Sequence, residues 1–359
     1  MDDRNTQQDS QAEMSNDGTG DIRTMEEFSA FVGLSRPTVS KYFNAPASVR
    51  ASTRQRIETA IEASGFTPNL FATNLKRTRT RVLGIIVPTA TDPFYMELVR
   101  QLEELASRAG YVLFMLSSNG RADREVDAIS RLESMNIAGA IVVPLGTKGP
   151  SARLVSLERR SAIVYVDSTP DASTPFVGTD NAQSIGLMVE YLCRSGEPPC
   201  FLPMPPINRN AEARLAAYEE AMAKAHERTR VLMVPKQLDW DFERYGHEQT
   251  RHALEAGLPT RTILCANDRI ALGALLAAWQ AKVHVGRTAH SQLRIAGHDD
   301  HPFARYSGPP LTTVSQDIQG IAQRAMATLL ARIGEPETNG EPMHETALFA
   351  GQLVLRDSA

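Results

Sequence analysis

The sequence predicts a small all-α domain at the N-terminus, followed by a larger α/β domain built from two lobes. At 359 residues, the chain is longer than one hydrophobic core normally supports. Short amphipathic segments with helical spacing occupy residues 21–66. From residue 82 onward, continuous apolar runs of strand length alternate with amphipathic helices, a pattern typical of parallel sheets covered on both faces.

Composition narrows the class of protein before any motif is considered. Hydrophobic residues make up 42% of the chain and charged residues 22%, which excludes a largely disordered, collagenous or disulfide-stapled protein. The chain has no run of about 18 apolar residues that would predict a membrane span, and its polar N-terminus lacks the apolar core of a secretory signal. Three scattered cysteines without CxxC spacing favour the reducing cytoplasm and argue against a structural zinc site.

Charge is distributed unevenly along the chain, whose net charge is -4. Residues 1–20 carry five acidic residues and one arginine and are expected to form a disordered acidic tail. Residues 21–81 carry ten lysines and arginines against five acidic residues, whereas the rest of the chain is acidic. A small basic module attached to an acidic body is typical of a nucleic-acid-binding module.

The first helix of the basic module is predicted by its start and stop signals. Thr24 followed by Glu27 fits a capping box, in which the threonine hydroxyl accepts from a first-turn amide and the glutamate reaches back. Gly33 can adopt the left-handed conformation that ends a helix. The apolar face of this helix is predicted to comprise Met25, Phe28, Phe31 and Val32.

A second helix follows after a tight turn, and a third follows after a loop. Ser35 can cap the second helix, SRPTVSKYF, which is predicted to bury Val39 and Phe43. The third helix is predicted over residues 53–64 and ends at Gly65. Two helices joined by a glycine turn, with polar residues opening the second, form a helix-turn-helix. Because small helix pairs are also common in proteins that never touch DNA, the pattern alone leaves that alternative open.

The α/β region is predicted from the apolar runs VLGIIV, YVLFML, IAGAIVV, AIVYV, CFLPM, VLMV, TILCA and LRIAG. These strands are too many for one mononucleotide-binding unit, so two lobes are predicted. No GxGxxG or GxxxxGK[ST] follows any strand, and the chain has no GxSxG or HExxH. The sequence therefore predicts no enzyme activity and no cofactor.

The string HDDH at residues 298–301 invites a metal interpretation. Consecutive residues on one loop rarely converge on a single ion, and no other His/Cys cluster in the sequence supports a site. Asp299 is therefore interpreted as a ligand-binding carboxylate, and no metal is predicted.

The basic module matches a known family pattern without gaps, in the strings LSRPTVSKYFN, Val49, TRQRIETAIEASGF, PN at 68–69, Ala72 and Leu75. In these strings it closely resembles the lactose-repressor (LacI) family of transcriptional regulators. The α/β region resembles the effector domain of the same family in VLGIIVPTATDPFY, VGTDN, ARLAAY, LCANDRIALGAL, IAGHDD and PPLTTVSQD. The resemblance implies a helix-turn-helix DNA-binding domain and a two-lobed effector domain like that of periplasmic binding proteins, with parallel sheets and three crossovers.

The resemblance covers residues 22–357 and implies the domain boundaries. These are a disordered acidic tail at 1–20, the helix-turn-helix domain at 21–66, a hinge helix and linker at 67–81, and an effector-binding and dimerisation domain at 82–357. Within the last segment, the N-lobe is expected at 82–179 and 315–343 and the C-lobe at 180–314 and 344–357. The chain is expected to cross between the lobes near Thr179, Val314 and His344.

The resemblance also implies which residues contact DNA. Arg36, Pro37 and Lys41 match the base-reading positions of the recognition helix. Arg36 and Lys41 can donate to guanine O6 and N7 in the major groove, whereas Pro37 offers only apolar contact. Leu75 matches the position of a minor-groove wedge. The full set of candidate DNA-binding residues is Arg36, Pro37, Thr38, Ser40, Lys41, Asn44, Asn69, Ala72 and Leu75.

The expected ligand site lies in the cleft between the lobes, beyond the carboxyl ends of the strands. Its candidate residues are Asp92, Phe94, Asp180, Arg214, Trp240, Asn267 and Asp299. Carboxylate, amide and guanidinium groups can pair with adjacent hydroxyls, and the aromatic rings can stack on the apolar face of a sugar ring. This mixture suits a sugar or polyol effector, and a purine or nucleoside remains the alternative.

Together these features predict a ligand-responsive DNA-binding regulator, a repressor of carbohydrate-metabolism or transport genes that acts in the cytoplasm. Its partners are expected to be palindromic operator DNA, a small effector and a second copy of the chain. The end of the chain, LVLRDSA, lacks an apolar heptad tail, which favours a dimer over a coiled-coil tetramer. A sugar-binding receptor without DNA function is the less favoured alternative, and the sign of the effector response stays open.

Overall fold

The computed structural model describes residues 22–44, 46–67, 80–146, 151–232, 240–334 and 345–359. The chain forms two compact units that divide between Thr80 and Arg81. Within the described residues, no helix is long and apolar enough to cross a membrane. The division places the basic module and the α/β region in separate units.

Among its described residues, the first unit contains three α-helices, the third of which begins two residues before its predicted start at residue 53. They are α1 at Met25–Val32, α2 at Arg36–Asn44 and α3 at Ala51–Ser64, with a 3-10 turn at Pro46–Ser48. The Glu27 amide donates to Thr24 Oγ1 at 3.2 Å, and the Thr24 amide donates to Glu27 Oε2 at 3.0 Å, which confirms the capping box. Gly33 and Gly65, with φ of 66° and 64°, end α1 and α3 as predicted.

The core of the first unit consists of the buried side chains Phe28, Val32, Val39, Ile57 and Phe66. Phe28 and Phe66 stack with their ring centroids 4.3 Å apart. The prediction that Phe31 belongs to this core is wrong, because 47% of its surface is exposed. An α-helix turns by about 100° per residue, so Met25, Phe28 and Val32 share one stripe while Phe31 lies beyond its edge.

The second unit alternates strands and helices. Its strands are β1 Val82–Val87, β2 Val112–Ser117, β3 Gly139–Val142, β4 Ala162–Tyr165, β5 Val177–Thr179, β6 Cys200–Leu202, β7 Thr262–Cys265, β8 Arg294–Ala296, β9 Thr313–Ser315, β10 Ala347–Phe349 and β11 Gln352–Val354. Its α-helices are α4 Pro93–Arg108, α5 Ala122–Ser134, α6 Ala152–Glu158, α7 Asn181–Ser195, α8 Arg209–Lys224, α9 Phe242–Ala256, α10 Asp268–Gln280 and α11 Ile318–Gly334. A further 3-10 turn covers Ala304–Tyr306.

The first lobe is a parallel sheet in the order β2-β1-β3-β4. Alternate side chains of β1, β3 and β4 enter two different apolar clusters, one on each face of the sheet. The cluster on one face includes side chains of α4 and α11, and the cluster on the other includes side chains of α5 and α6. Burial on both faces explains why these strands are apolar throughout, as the sequence predicts.

The second lobe is a parallel sheet in the order β6-β7-β8. Its strands and the helices α7, α8, α9 and α10 share one apolar cluster, in which Phe201 stacks on Tyr218 at 4.8 Å. Of the predicted run VLMV, Val231 forms a single parallel bridge to Phe201. The two lobes therefore have separate cores, as the number of predicted strands indicates.

Among the described residues, the chain crosses between the lobes at three places. β5 joins the first-lobe sheet through a bridge between Val166 and Val177, and β10 pairs in parallel with β5. β9 and β11 pair with each other in antiparallel orientation. Because β10 still belongs to the first lobe, the last crossing follows Phe349 and comes later than the predicted position at 344, which lies outside the described residues.

Candidate nucleic-acid interface and ligand cavity

Helix α2 presents a polar side to solvent and packs its apolar side into the first unit. Arg36, Pro37 and Lys41 are exposed, whereas Val39 is fully buried in the core. The three exposed side chains lie on one half of the helix circumference. This arrangement is what a helix that reads the major groove requires.

Arg36 forms an ion pair with the neighbouring helix. Its Nη1 atom lies 2.8 Å from Glu26 Oε1, and the two side chains are 45% and 64% exposed. Exposed pairs of this kind contribute at most about 1 kcal/mol to stability. A base edge or phosphate can therefore compete with Glu26 for the guanidinium.

The structure describes only some of the other candidate DNA-binding residues. Thr38 and Ser40 are half-buried, and Thr38 Oγ1 lies 2.8 Å from Ser35 Oγ. Asn44 is the last residue of α2. The candidates that lie outside the described residues are Asn69, Ala72 and Leu75. Their roles stay predictions.

A cavity lies between the two lobes of the second unit, beyond the carboxyl ends of the strands. It encloses about 350 Å³ when the open space at its mouth is included. Its lining combines polar, charged and aromatic groups. The lining residues are Asp92, Phe94, Tyr95, Asp167, Met204, Asn208, Asn210, Arg214, Trp240, Phe242, Asn267, Asp299 and Gln316.

The structure brings the sequence-predicted ligand residues together with the exception of Asp180, which does not line this cavity. Asp180 instead caps α7, where it accepts from the Gln183 amide at 2.9 Å. Its neighbour Asn181 supports the site, because Asn181 Oδ1 accepts from Arg214 Nε at 3.0 Å. A carboxylate that follows a strand can either cap the next helix or bind a ligand, and the sequence does not distinguish these two roles.

Arg214, on α8, is 5% exposed and donates in three directions. Its Nε donates to Asn181, its Nη1 donates to the Ala266 carbonyl at 2.7 Å, and its Nη2 donates to Asp299 Oδ1 at 3.1 Å. The guanidinium therefore fixes the carboxylate of Asp299 relative to the end of β7.

Asp299 has a left-handed backbone, with φ of 126°. Besides Arg214, two groups donate to its Oδ1: Gln316 Nε2 at 2.7 Å and His298 Nδ1 at 2.9 Å. Burial acts to raise the pKa of Asp299, but the charge of Arg214 and the hydrogen bond from His298 outweigh burial and lower it. No described group donates to Oδ2, so that oxygen can accept from a ligand.

His298 is buried and neutral, because burial lowers its pKa to about 4 and the nearby Arg214 acts in the same direction. A neutral imidazole carries one N–H, and a carboxylate can only accept. His298 Nδ1 therefore donates to Asp299, and Nε2 accepts from the Ser184 hydroxyl at 2.9 Å. His298 acts as a positioning residue for Asp299.

Tyr95 and Asp167 form a buried pair that the sequence analysis missed. The Tyr95 hydroxyl donates to Asp167 Oδ2 at 3.1 Å. Burial raises the pKa of Asp167 to about 6, with the charge of Arg214 opposing the rise and that of Asp299 adding to it. The cavity thus contains a carboxyl group that titrates close to neutral pH.

Arg269, on α10, links the two lobes beside the cavity. Its Nη1 donates to Asp92 Oδ2 at 3.1 Å, and its Nε and Nη2 donate to Glu243 at 2.8 and 2.6 Å. Asp92 also caps α4, accepting from the Phe94 amide at 3.0 Å. Because Asp92 belongs to the first lobe and Arg269 to the second, their ion pair holds the lobes together.

Two asparagines that cap helices also face the cavity. Asn208 Oδ1 accepts from the Ala211 amide at 3.1 Å at the start of α8, and Asn267 Oδ1 accepts from the Ile270 amide at 2.8 Å at the start of α10. The capping bonds fix the orientation of both side chains. Each Nδ2 group can then donate to a ligand oxygen.

Aromatic side chains supply the apolar part of the cavity. Trp240 and Phe242 lie with their ring centroids 5.7 Å apart, and Phe94 faces them from the first lobe. The Trp240 indole packs against Gly120 of the first lobe so closely that an added Cβ would come within 2.0 Å of its Cδ1 atom. Glycine suits this position for two reasons. Its φ of 68° is left-handed, and the absence of a Cβ leaves room for the Trp240 indole.

Some of the missed residues carry a signal in the sequence. Asp167 and Gln316 each follow the end of a strand by one or two positions, and ligands in α/β sheets lie beyond strand ends. Arg269 carries no comparable signal, because its partner Asp92 is 177 positions away.

The four side chains of the string HDDH do not converge on one point. His298 and Asp299 bond to each other, whereas Asp300 pairs with Arg356 at 2.6 Å. Across the part of the chain that the structure describes, no group of three or more His, Cys, Asp or Glu side chains could hold a metal ion.

Comparison with known proteins gives a family match in each of the two units. The family model described as bacterial regulatory proteins, lacI family, matches residues 24–69. The model described as a periplasmic binding protein-like domain matches residues 199–359. The chain therefore combines a lacI-family regulatory domain with a periplasmic binding protein-like domain, and the lacI-family regulators that it resembles are DNA-binding proteins rather than enzymes.

Curated relatives and solved structures extend this similarity over most of the chain. The ribose operon repressor of Escherichia coli (strain K12) is 26% identical over 343 residues, which cover 94% of this chain and 100% of that protein. The HTH-type transcriptional repressor PurR of Haemophilus influenzae (strain PittEE) is 26% identical over 340 residues, covering 94% and 98%. The lac repressor dimer bound to operator and the anti-inducer ONPF shares the fold, with a TM-score of 0.78 and 22% identity over 93% of this chain and 98% of that one.

Proposed function

We propose that this protein is a cytoplasmic transcriptional repressor of carbohydrate-metabolism or transport genes. It binds a palindromic operator as a dimer, and a small sugar-like effector in the cavity between its lobes modulates its affinity for DNA. The observation that carries this proposal is the presence, in one chain, of a solvent-facing basic helix and an interlobe cavity lined by carboxylates, amides and aromatic rings.

The DNA-binding role is assigned to α2. Arg36 and Lys41 are exposed and can donate to base edges, while Val39 anchors the helix in the core of the first unit. The curated relatives of similar length are repressors by name, which supports the same role for this chain. Asn69, Ala72 and Leu75 are proposed to complete the interface in the minor groove.

The effector role is assigned to the cavity. Asp299, Asp167 and Asn267 offer oriented acceptors and a donor for hydroxyl groups, and Trp240 offers a ring face. The name of the ribose operon repressor supports a sugar. The name of PurR and the aromatic lining keep a purine or nucleoside as the second candidate.

Dimerisation is supported by large apolar side chains that remain exposed in a single chain. They are Val112, Phe114 and Met115 on β2, at the edge of the first-lobe sheet, and Leu276, Trp279, Phe303 and Tyr306 in the second lobe. Exposed apolar groups on an edge strand favour pairing with another chain. A second copy of this chain is the partner that a palindromic operator requires.

A hydrogen-bonded path connects the cavity to the crossings between the lobes. Gln316, which directly follows β9, donates to Asp299 at 2.7 Å and accepts from the Thr179 hydroxyl at the end of β5. A ligand that contacts Asp299 can thereby bias the relative position of the lobes. Differential binding to two lobe arrangements is the means by which an effector changes DNA affinity.

The test is to select operators from a random DNA library with the intact protein and then to measure two variants. Lys41→Ala should lose discrimination at one base pair, by about 1–3 kcal/mol, and should still be stabilised by the effector. Arg214→Met should retain operator binding but lose the response to the effector. Enrichment of no sequence by the wild-type protein would refute the proposal, and an effector found only among purines would replace the sugar.

A further inference from the structure

We infer that the effector is an uncharged polyhydroxy compound and that the cavity rejects the phosphate esters of such compounds. This inference rests on the proposed function of the cavity as the effector site. The observation that carries it is the balance of charge, because Asp92, Asp167 and Asp299 line the cavity with Arg214 as their cationic counterpart. Four carboxylates therefore stand against two arginines when the adjoining pair of Arg269 and Glu243 is included.

Both arginines are already engaged by carboxylates of the protein. Arg214 donates to Asp299, to Asn181 and to a backbone carbonyl. Arg269 divides its guanidinium between Asp92 and Glu243. Arginine recognises phosphate through two parallel N–H bonds, so a phosphate would have to displace one of these carboxylates.

Asp167 opposes an anion most directly, because the groups that bond to it are neutral. They are the Tyr95 hydroxyl and the Asn210 side chain. A dianionic phosphate in this partly dehydrated space would meet the negative charge of Asp167, which the charge of Arg214 offsets only in part, and would also lose its own hydration.

The helix N-termini at the cavity could favour an anion, but protein groups already occupy them. α4, α8 and α10 begin at the cavity, and an amide in the first turn of each donates to Asp92, Asn208 or Asn267. Asp92 supplies the negative charge that the field of α4 prefers. These termini therefore stabilise the existing lining and do not form a phosphate site.

Neutral hydroxyl groups suit the same lining. Asp167 and Asp299 can accept from hydroxyls, and the Asn267 amide can donate to their oxygens. Trp240 can cover the apolar face of a ring. The described lining of the cavity thus offers partners for an uncharged sugar, whereas its one arginine, Arg214, is already bonded to protein groups.

The test compares free sugars with their matched esters by isothermal titration calorimetry on the full chain. The pairs are D-ribose and D-ribose 5-phosphate, D-glucose and D-glucose 6-phosphate, and D-fructose and D-fructose 6-phosphate. We expect at least one free sugar to bind, and its ester to bind at least tenfold more weakly. An ester that binds as tightly as its sugar overturns the inference and leaves the proposed regulatory function standing.

Failure of every free sugar to bind also overturns the inference. Operator selection with the same preparation then separates the two failures. Selection of a defined operator would show that the regulator stands and only the effector class is wrong. If no operator is selected, the proposed function is refuted as well.

Charge variants test the cause of the exclusion. Asp167→Asn removes one negative charge and keeps a side chain that tolerates the left-handed φ of 63°. It should lower the ratio of ester to sugar dissociation constants at least threefold. Glu243→Gln, which changes no lining side chain, should also lower the ratio of ester to sugar dissociation constants. Asp127→Asn, at an exposed position on α5, is the matched control and should leave the ratio unchanged. A ratio that stays constant in both test variants contradicts the role of charge.

Discussion

Asp167 gives the cavity a titration close to neutral pH. Burial raises its pKa to about 6, whereas His298, whose pKa burial lowers to about 4, remains neutral above pH 5. The groups that face Asp167 are Tyr95, Arg214 and Asp299, together with Asn210. As the pH falls from 7 to 5, a proton therefore binds to Asp167 and removes an acceptor for ligand hydroxyls.

We expect the affinity for the effector to fall about tenfold between pH 7 and pH 5, because about one tenth of a carboxyl group remains ionised one unit below its pKa. Isothermal titration calorimetry at the two pH values measures this change. Asp167→Asn should bind more weakly at pH 7 and lose the dependence. Equal wild-type affinities at both pH values would show that the ionised form of Asp167 does not contact the ligand.

In its ion pair with Arg36, Glu26 competes with DNA for the Arg36 guanidinium on the DNA-binding helix. Glu26→Gln should tighten specific operator binding about threefold, because it releases Arg36 and removes an acidic charge near DNA phosphates. Glu62→Gln, at an exposed position on α3, removes the same charge without affecting that pair. Fluorescence anisotropy on operator and random DNA compares the two. Equal gains in both variants would mean that the release of Arg36 contributes nothing.

At the scale of elements, the loop that carries Gly120 positions Trp240 across the cleft. Gly120→Ala should weaken effector binding at least tenfold, since the new Cβ would displace the indole, and should cost about 1–2 kcal/mol of stability from its left-handed backbone. Gly257→Ala, with φ of 89° and open space around the position, is the control that carries the backbone cost alone. Calorimetric binding and thermal unfolding separate the two effects. Unchanged effector affinity in Gly120→Ala would disprove the role of this contact.

The segment around Leu75 lies outside the described residues and is tested through DNA binding. Leu75→Ala should weaken binding to the specific operator far more than binding to random DNA, because a wedge acts only where it can unstack a base step. Competition titrations on the two DNAs give the ratio. Equal losses on both would reduce Leu75 to a linker residue.

How far the sequence predicts the structure differs between elements and contacts. The capping box at Thr24 and the apolar strands are predicted because their causes lie within a few neighbouring residues. The contacts of Gly120 and Arg269 are not predicted, because their partners come from distant parts of the chain. Asp180 is predicted to be a functional residue but with the wrong role, because helix-capping residues and ligand-binding residues both occur directly after a strand. The candidate site is thus predicted in its chemistry and missed in its tertiary contacts.

At the scale of the whole molecule, exposed apolar groups on both lobes predict where two copies meet. Phe114→Lys and Trp279→Lys should each favour monomers, because a charge would be buried in the interface. Leu348→Lys, on β10 at the opposite edge of the first-lobe sheet, should leave the dimer intact. Analytical ultracentrifugation gives the mass, and operator affinity should fall with it. A dimer that persists in both test variants would place the interface elsewhere.

The ion pair between Asp92 and Arg269 is made by the protein's own side chains, so its contribution to closing the cleft does not depend on any signal. An effector can shift the equilibrium between lobe arrangements only by its differential affinity for them. The strength of this pair therefore sets the fraction of molecules that are closed when no effector is bound. That fraction determines the basal activity of the regulator, whichever lobe arrangement binds DNA.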